Sequence, residues 1–226
     1  MRISYSLHVG KSILSRNSSM AATLIAALRQ HGNFMTTPSP ASHHRITAEI
    51  LELFRKYGAS RYGGEAVTQL EHGLQAAHFA EQAGASSSQI SAALLHDVGH
   101  LLHDLPDDAP DHGIDDCHED LGFNWLKRTF PSSVSEPVRL HVAAKRYLCA
   151  AEPDYLALLS QPSLDSLKLQ GGPMSETEKV EFESHAYFRE AIELRKWDDQ
   201  AKVIGLQTRP LEHFARYLDQ ALEGVA

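Results

Sequence analysis

From Ile46 onward, apolar residues recur every three or four positions and no stretch alternates long enough to mark a strand, so the pattern predicts an all-α fold. Ile46, Ile50, Leu51 and Phe54 mark a first helix ending near Gly58, and Val67, Leu70, Leu74, Ala77 and Ala80 a second ending near Gly84. Ser88 is the expected cap of a third, with Ile90, Ala93, Leu94, Val98 and Leu101 along its buried stripe. An acidic, proline-containing loop from His103 to Gly113 leads to a helix capped by Asp115 or Asp116 and carrying Leu121, Trp125 and Leu126. Ser135 and Pro137 open a fifth helix, and residues 160–174 read as a loop. Ser175 with Glu178 has the form of a capping box for a long helix, and Thr208 with Pro210 opens the last.

The first 44 residues form a leader of different character. It holds Ser and Thr clusters, the stretch Thr37-Pro38-Ser39-Pro40 and one apolar run, Ala21 to Leu28, too short to span a bilayer. Arg29-Gln30-His31 follows that run where a signal peptide would place small residues, and Met20 and Met35 are alternative starts. Residues 45–226 are then expected to form one domain. The 42% hydrophobic and 22% charged content is that of a globular protein, and the net charge of -8 without a basic stripe argues against nucleic acid. Two cysteines, Cys117 and Cys149, are too few for a disulfide framework and point to the cytoplasm. Oligomeric state leaves no signature in these patterns.

The chain has fourteen histidines, and since a lone histidine usually packs or faces solvent, position has to select among them. His96-Asp97 interrupts the apolar run Ala92-Ala93-Leu94-Leu95 and Val98, where an unpaired carboxylate is costly and a bound cation removes the cost. Helical spacing sets Ala93, His96, Asp97 and His100 on one side. His72, His118, His141 and Asp198 fall one per predicted helix, with Asp199 next to Asp198 as the alternative. Imidazole and carboxylate together suit first-row metals such as iron, and a carboxylate can bridge two ions, so the set is a dinuclear candidate. Lys145, one turn after His141, and Arg195, one turn before Asp198, would turn a pocket in this acidic chain locally basic.

The order His72, His96-Asp97, His118, His141, Asp198 resembles the six-ligand, dinuclear form of the HD-domain signature. The resemblance implies one iron on His72, His96, Asp97 and Asp198, with Asp97 bridging to a second on His118 and His141. Tyr62-Gly63-Gly64-Glu65, Gln69-Leu70-Glu71-His72, His96-Asp97-Val98-Gly99-His100, Lys145, Gln170-Gly171-Gly172-Pro173 and Arg195 resemble, more narrowly, the phosphonate-cleaving HD-domain oxygenases of the PhnZ type, over about Arg61 to Lys202. These relatives of the inositol oxygenases use a mixed-valent Fe(II)/Fe(III) pair and dioxygen to convert 2-amino-1-hydroxyethylphosphonate to glycine and phosphate. Near relatives of the TmpB type take the trimethylated amine.

By this resemblance Tyr62 ligates one iron until Glu65 grips the substrate amine, and its departure opens the dioxygen site. Lys145, Arg195, Gln170 and His100 become contacts to the phosphonate or hydroxyl. An HD phosphohydrolase would use the same ligands to activate water against a phosphate ester, with Mn, Mg, Zn or Fe, and has no use for a gate on dioxygen. A metal-free HD scaffold is a third reading, set against by the presence of all six ligands.

Overall fold

The computed structural model describes residues 40–102 and 116–224. The leader's first 39 residues and the acidic loop, His103 and Asp115 included, lie outside them. Among the described residues all regular structure is helical apart from one isolated bridge between Arg61 and Thr68, as the periodicity predicts.

Helix α1 spans Pro40–Tyr57, starting a turn before the predicted domain boundary, and α2 spans Gln69–Gln82. Thr68 caps α2 and closes a capping box with Glu71, so Val67 precedes the helix. Helix α3, Ser87–Leu95, is capped by Ser86 and not by Ser88, because the glutamine that completes the box, Gln89, lies three residues after Ser86. It stops at Leu95 instead of running through His96-Asp97, and a 3-10 turn, Val98–Leu101, follows. The His96 ring donates to the carbonyl of Ala93 at 2.8 Å, and Asp97 turns the backbone out of helical geometry.

Helix α4 covers His118–Leu126, and its N-cap is Cys117 in the left-handed region; Asp116 instead accepts from the His118 amide at 3.3 Å. Helix α5, Ser132–Ala151, begins earlier than Ser135, since Pro131 supplies the extended residue before it; Pro137 lies inside, buried. Residues 160–174 are not wholly a loop. After the short α6, Tyr155–Leu158, Ser160 caps α7, Gln161–Leu169, leaving the turn to Gln170-Gly171-Gly172-Pro173 with both glycines at positive φ. The Ser175 box is formed as predicted, but the long helix is two: α8, Glu176–Glu183, and α9, Phe188–Gln200. Between them the Ser184 hydroxyl takes the Glu181 carbonyl and the His185 ring takes the Tyr187 amide, both in competition with helical bonds. Helix α10, Leu211–Glu223, has Pro210 as its N-cap.

Ile50, Leu53 and Phe54 of α1, Leu94 and Leu95 of α3, and Phe214, Leu218 and Leu222 of α10 form the main core. Burying each such side chain contributes about 1.5 to 3 kcal/mol. Helix α2 packs on α3 and α9, and α5 packs on α4 and α9, so α2, α4, α5, α9 and the break after α3 converge around buried polar residues. Two glycines permit the approach. A Cβ on Gly73 would stand 2.9 Å from the Leu94 carbonyl, and one on Gly99 would stand 2.0 Å from the carbonyl of His118.

Candidate metal centre

His72, His96, Asp97, His118, His141 and Asp198 come together in the interior, each less than a tenth exposed. His72 projects from α2, His96 and Asp97 from the break after α3, His118 from the first position of α4, His141 from α5 and Asp198 from α9. In every histidine Nδ1–H donates outward: His72 to the Ala201 carbonyl at 2.8 Å, His96 to Ala93, His141 to Val138 at 2.7 Å, and His118 to the Asp116 carboxylate at 2.8 Å. A carbonyl can only accept, so these bonds fix the tautomer and turn each Nε2 lone pair inward.

The inward atoms form two groups. Nε2 of His72 and His96 lie 3.0 Å apart, with Asp198 Oδ1 at 3.3 and 3.8 Å and Asp97 Oδ2 at 3.4 and 3.3 Å from them, respectively. Nε2 of His118 and His141 lie 3.2 Å apart, with Asp97 Oδ1 at 3.3 and 3.4 Å. Asp97 thus directs one oxygen to each group. Ligands about 2.1 Å from a common ion and at right angles are about 3.0 Å apart, the spacing found here.

The chemistry of the set also fits metal. Asp97 Oδ1 is buried without a hydrogen bond, an expense that a cation removes. Burial alone lowers a histidine, yet Asp97 and Asp198 raise His96 to about 10, and Asp116 with Asp97 raises His118 to about 9. The carboxylates demand positive charge at both groups. Burial holds His141 below its ordinary value. Among the described residues two triads satisfy simple proximity for a metal: His72, His96 and Asp198, and then Asp97, His118 and His100. The second triad has His100 where the sequence has His141. His100 stacks on His118 with ring centroids 4.1 Å apart and Nδ1 held 2.8 Å from Asp116 Oδ2, whereas His141 faces the His118 Nε2 directly.

The remaining predicted residues surround a cavity of about 360 Å³ opening onto Asp97, His118, His141 and Asp198. Tyr62, Glu65, His100, Lys145, Gln170 and Arg195 all line it. Tyr62 stacks flat on His72, centroids 3.7 Å apart, and its hydroxyl donates to Asp198 Oδ1 at 3.4 Å; burial and Asp198 push the phenol well above its usual value. Lys145, 3% exposed, donates to the Ser166 hydroxyl at 2.8 Å, and burial followed by repulsion from Arg195 lowers it to about 7. Arg195 is ion-paired through Nη1 to Asp198 Oδ2 at 2.7 Å and through Nη2 to Asp199, while its Nε reaches the Tyr155 hydroxyl at 3.2 Å. Asp199 accepts from Arg195 and Tyr155 and so sits away from the histidines, which separates it from Asp198.

Two polar residues at the site were not singled out by the sequence reading. Asp116, taken there as a helix cap, holds both His118 and His100. Lys202 stands beside Glu65, Nζ to Oε1 3.7 Å. A carboxylate two positions before a ligand histidine was the available signal for Asp116; Lys202 had none.

No family model matches the chain. It is 45% identical over 180 residues, 79% of this chain and 89% of the relative, to the hydroxymethylphosphonate dioxygenase of Gimesia maris. It is 42% identical over 191 residues, 84% of this chain and 97% of the relative, to the [1-hydroxy-2-(trimethylamino)ethyl]phosphonate dioxygenase (glycine-betaine-forming) of Leisingera caerulea. An uncharacterised protein of Acanthamoeba polyphaga mimivirus is 36% identical over 176 residues, 76% of this chain and 80% of the relative.

Proposed function

Because the chain belongs to the HD-domain phosphonate dioxygenases, we propose that it cleaves the carbon-phosphorus bond of a small 1-hydroxyphosphonate with two iron ions and dioxygen, in the cytoplasm. The expected substrates are 2-amino-1-hydroxyethylphosphonate and its N-trimethyl analogue, giving glycine or its N-methylated counterpart and phosphate. The observation that carries the reading is Asp97 set between two histidine pairs, one oxygen toward each, at the floor of a cavity with buried cationic side chains.

His72, His96, Asp97 and Asp198 would hold one iron, and Asp97, His118 and His141 the other. The chemistry such a pair would supply is dioxygen activation and Lewis-acid anchoring of the substrate. Every other task falls to the chain. Lys145 and Arg195 meet the phosphonate, which lowers the cost of bringing a dianion into a buried site. Arg195 also steadies Asp198, its Nη1 on the oxygen facing away from His72. His100, aligned by Asp116, would meet the hydroxyl or phosphonate, and Gln170, in the cavity wall, would donate to the phosphonate through its amide N–H. Tyr62 lies on His72 beside Asp198, as a group that leaves on substrate binding must. The overall change balances without external reductant: one hydroxyphosphonate and one dioxygen give one carboxylate and one phosphate, all four electrons coming from the substrate.

In the hydrolase alternative, water would attack a phosphate ester on the same metals. Tyr62 and Glu65 in the cavity wall favour the oxygenase. Purified protein loaded with ferrous iron is expected to bind two iron ions and to release phosphate from 2-amino-1-hydroxyethylphosphonate, its N-trimethyl analogue or hydroxymethylphosphonate in air and not under argon. Hydrolysis of phosphate esters, with no phosphate from any phosphonate, would establish the hydrolase instead.

A further inference from the structure

The tandem Asp198-Asp199 leaves one carboxylate that the metal centre does not use. On α9 both lie about one turn after Arg195, Asp198 at the third position and Asp199 at the fourth, so either can pair with its guanidinium. The guanidinium is divided between them. Nη2 donates to Asp199 Oδ1, Nε donates to the Tyr155 hydroxyl at 3.2 Å, and that hydroxyl donates to Asp199 Oδ2, which closes a loop of three hydrogen bonds. Tyr155 reaches this loop from α6, its aromatic ring packed with Leu148, Leu159 and Leu167. Arg195 and Tyr155 are only 3% and 6% exposed, so little water competes for these bonds.

Asp198 receives a different contact. Nη1 stands 2.7 Å from its Oδ2, but as an ion pair without hydrogen-bond alignment, since no aligned donor meets that buried oxygen. The other oxygen, Oδ1, faces Nε2 of His72 and of His96 at 3.3 and 3.8 Å. A guanidinium left to itself grips one carboxylate with two parallel N–H bonds. Gripping Asp198 in that way would occupy Oδ1, the oxygen turned toward the histidines. Tyr155 and Asp199 engage Nε and Nη2 and so set the plane of the fork, and Asp198 is met by Nη1 alone. The same bonds leave further N–H groups of the guanidinium for the cavity that Arg195 lines.

We propose that Tyr155 and Asp199 are positioning residues, which hold the Arg195 guanidinium so that Asp198 keeps Oδ1 for a metal ion and the remaining N–H groups serve an anion in the cavity. Among the described residues of the cavity wall neither appears, and both act through Arg195. The proposal rests on the metal and anion site of the reading above and assigns the residues that orient one part of it.

The test uses Tyr155→Phe, which keeps the packed ring and removes only the hydroxyl, and Asp199→Asn, each made in the wild-type chain and in an Arg195→Lys background. Two quantities are read: iron retained after dialysis against a chelator, and the affinity of the iron-loaded protein for inorganic phosphate by calorimetry. In the wild-type background each substitution is expected to weaken phosphate binding by about tenfold, and Asp199→Asn to lower retained iron from about two per chain toward about one, as Arg195 takes both oxygens of Asp198. In the Arg195→Lys background, where the fork is gone, neither is expected to weaken phosphate binding by more than about twofold. A role in packing alone would carry the loss equally into both backgrounds. Where Arg195→Lys fails to fold, Tyr155→Phe decides: weaker phosphate binding at an unchanged thermal midpoint supports the proposal. Equal losses in both backgrounds, phosphate affinity unmoved in the wild-type background, or iron fully retained by Asp199→Asn overturns the proposal alone. A wild-type chain that binds neither iron nor phosphate overturns the reading on which it rests, and the proposal with it.

Discussion

Asp116 shows how much of a metal centre lies outside its ligands. Its two oxygens hold Nδ1 of His118 and of His100 at 2.8 Å each, so one carboxylate aligns a ligand and a cavity histidine together. Cys117, at φ 49, makes the turn that brings Asp116 back over His118. Asp116→Ala is expected to weaken iron binding by about 10 to 100-fold, read as metal retained after dialysis against a chelator, because the His118 ring loses its orientation. Retention equal to the wild type would show that packing alone aligns His118. Lys145 gives a second prediction. Burial first, and then Arg195, lower its ammonium to about 7, while the unfolded side chain keeps the ordinary value near 10.5. Between these values the unfolded state binds more protons, so this group makes stability rise with pH across the window, and below it, where both states carry the proton, its contribution is constant. Phosphonate binding needs the charged form, so kcat/KM should decline as pH rises through about 7, and a Lys145→Arg variant, which keeps its charge, should lack that decline.

The elements were legible where a local signal sufficed. The Ser175 box, the stops near Gly58 and Gly84, and the stripe carrying His141 and Lys145 follow from spacing alone. Three features were not legible for physical reasons. Helix α3 ends at Leu95 because a ring-to-carbonyl bond and the Asp97 turn override a periodicity that continues to Leu101. Helix α7 has few apolar positions, and its Ser160 cap looks like loop sequence. Lys202 lies past the end of α9, brought to Glu65 by bonds from residues far earlier in the chain, and no period reports such a contact. The 3-10 turn also depends on Gly99, since any side chain there would collide with the His118 backbone. Gly99→Ala is therefore expected to cost about 2 kcal/mol or more in chemical denaturation and to lower iron content, because the strain falls on the ligand itself. Normal stability with two retained iron ions would contradict that account.

Across the whole molecule, an acidic chain of net charge -8 encloses buried cations facing two carboxylates that themselves require positive charge. Among the described residues no helix is long and apolar enough to cross a membrane. The helices supply rigid positions: the candidate ligands come from α2, α4, α5, α9 and the break after α3, so their convergence depends on the packing of these helices and not on one motif. Such a site suits a small anion, and in the proposed reaction the electron balance ties turnover to dioxygen. The most direct measurement is the ratio of dioxygen consumed, by oxygen electrode, to phosphate formed by the iron-loaded protein with a 1-hydroxyphosphonate. The account predicts one dioxygen per phosphate, with no added reductant. Phosphate formed without oxygen uptake, or oxygen uptake without phosphate, would contradict it.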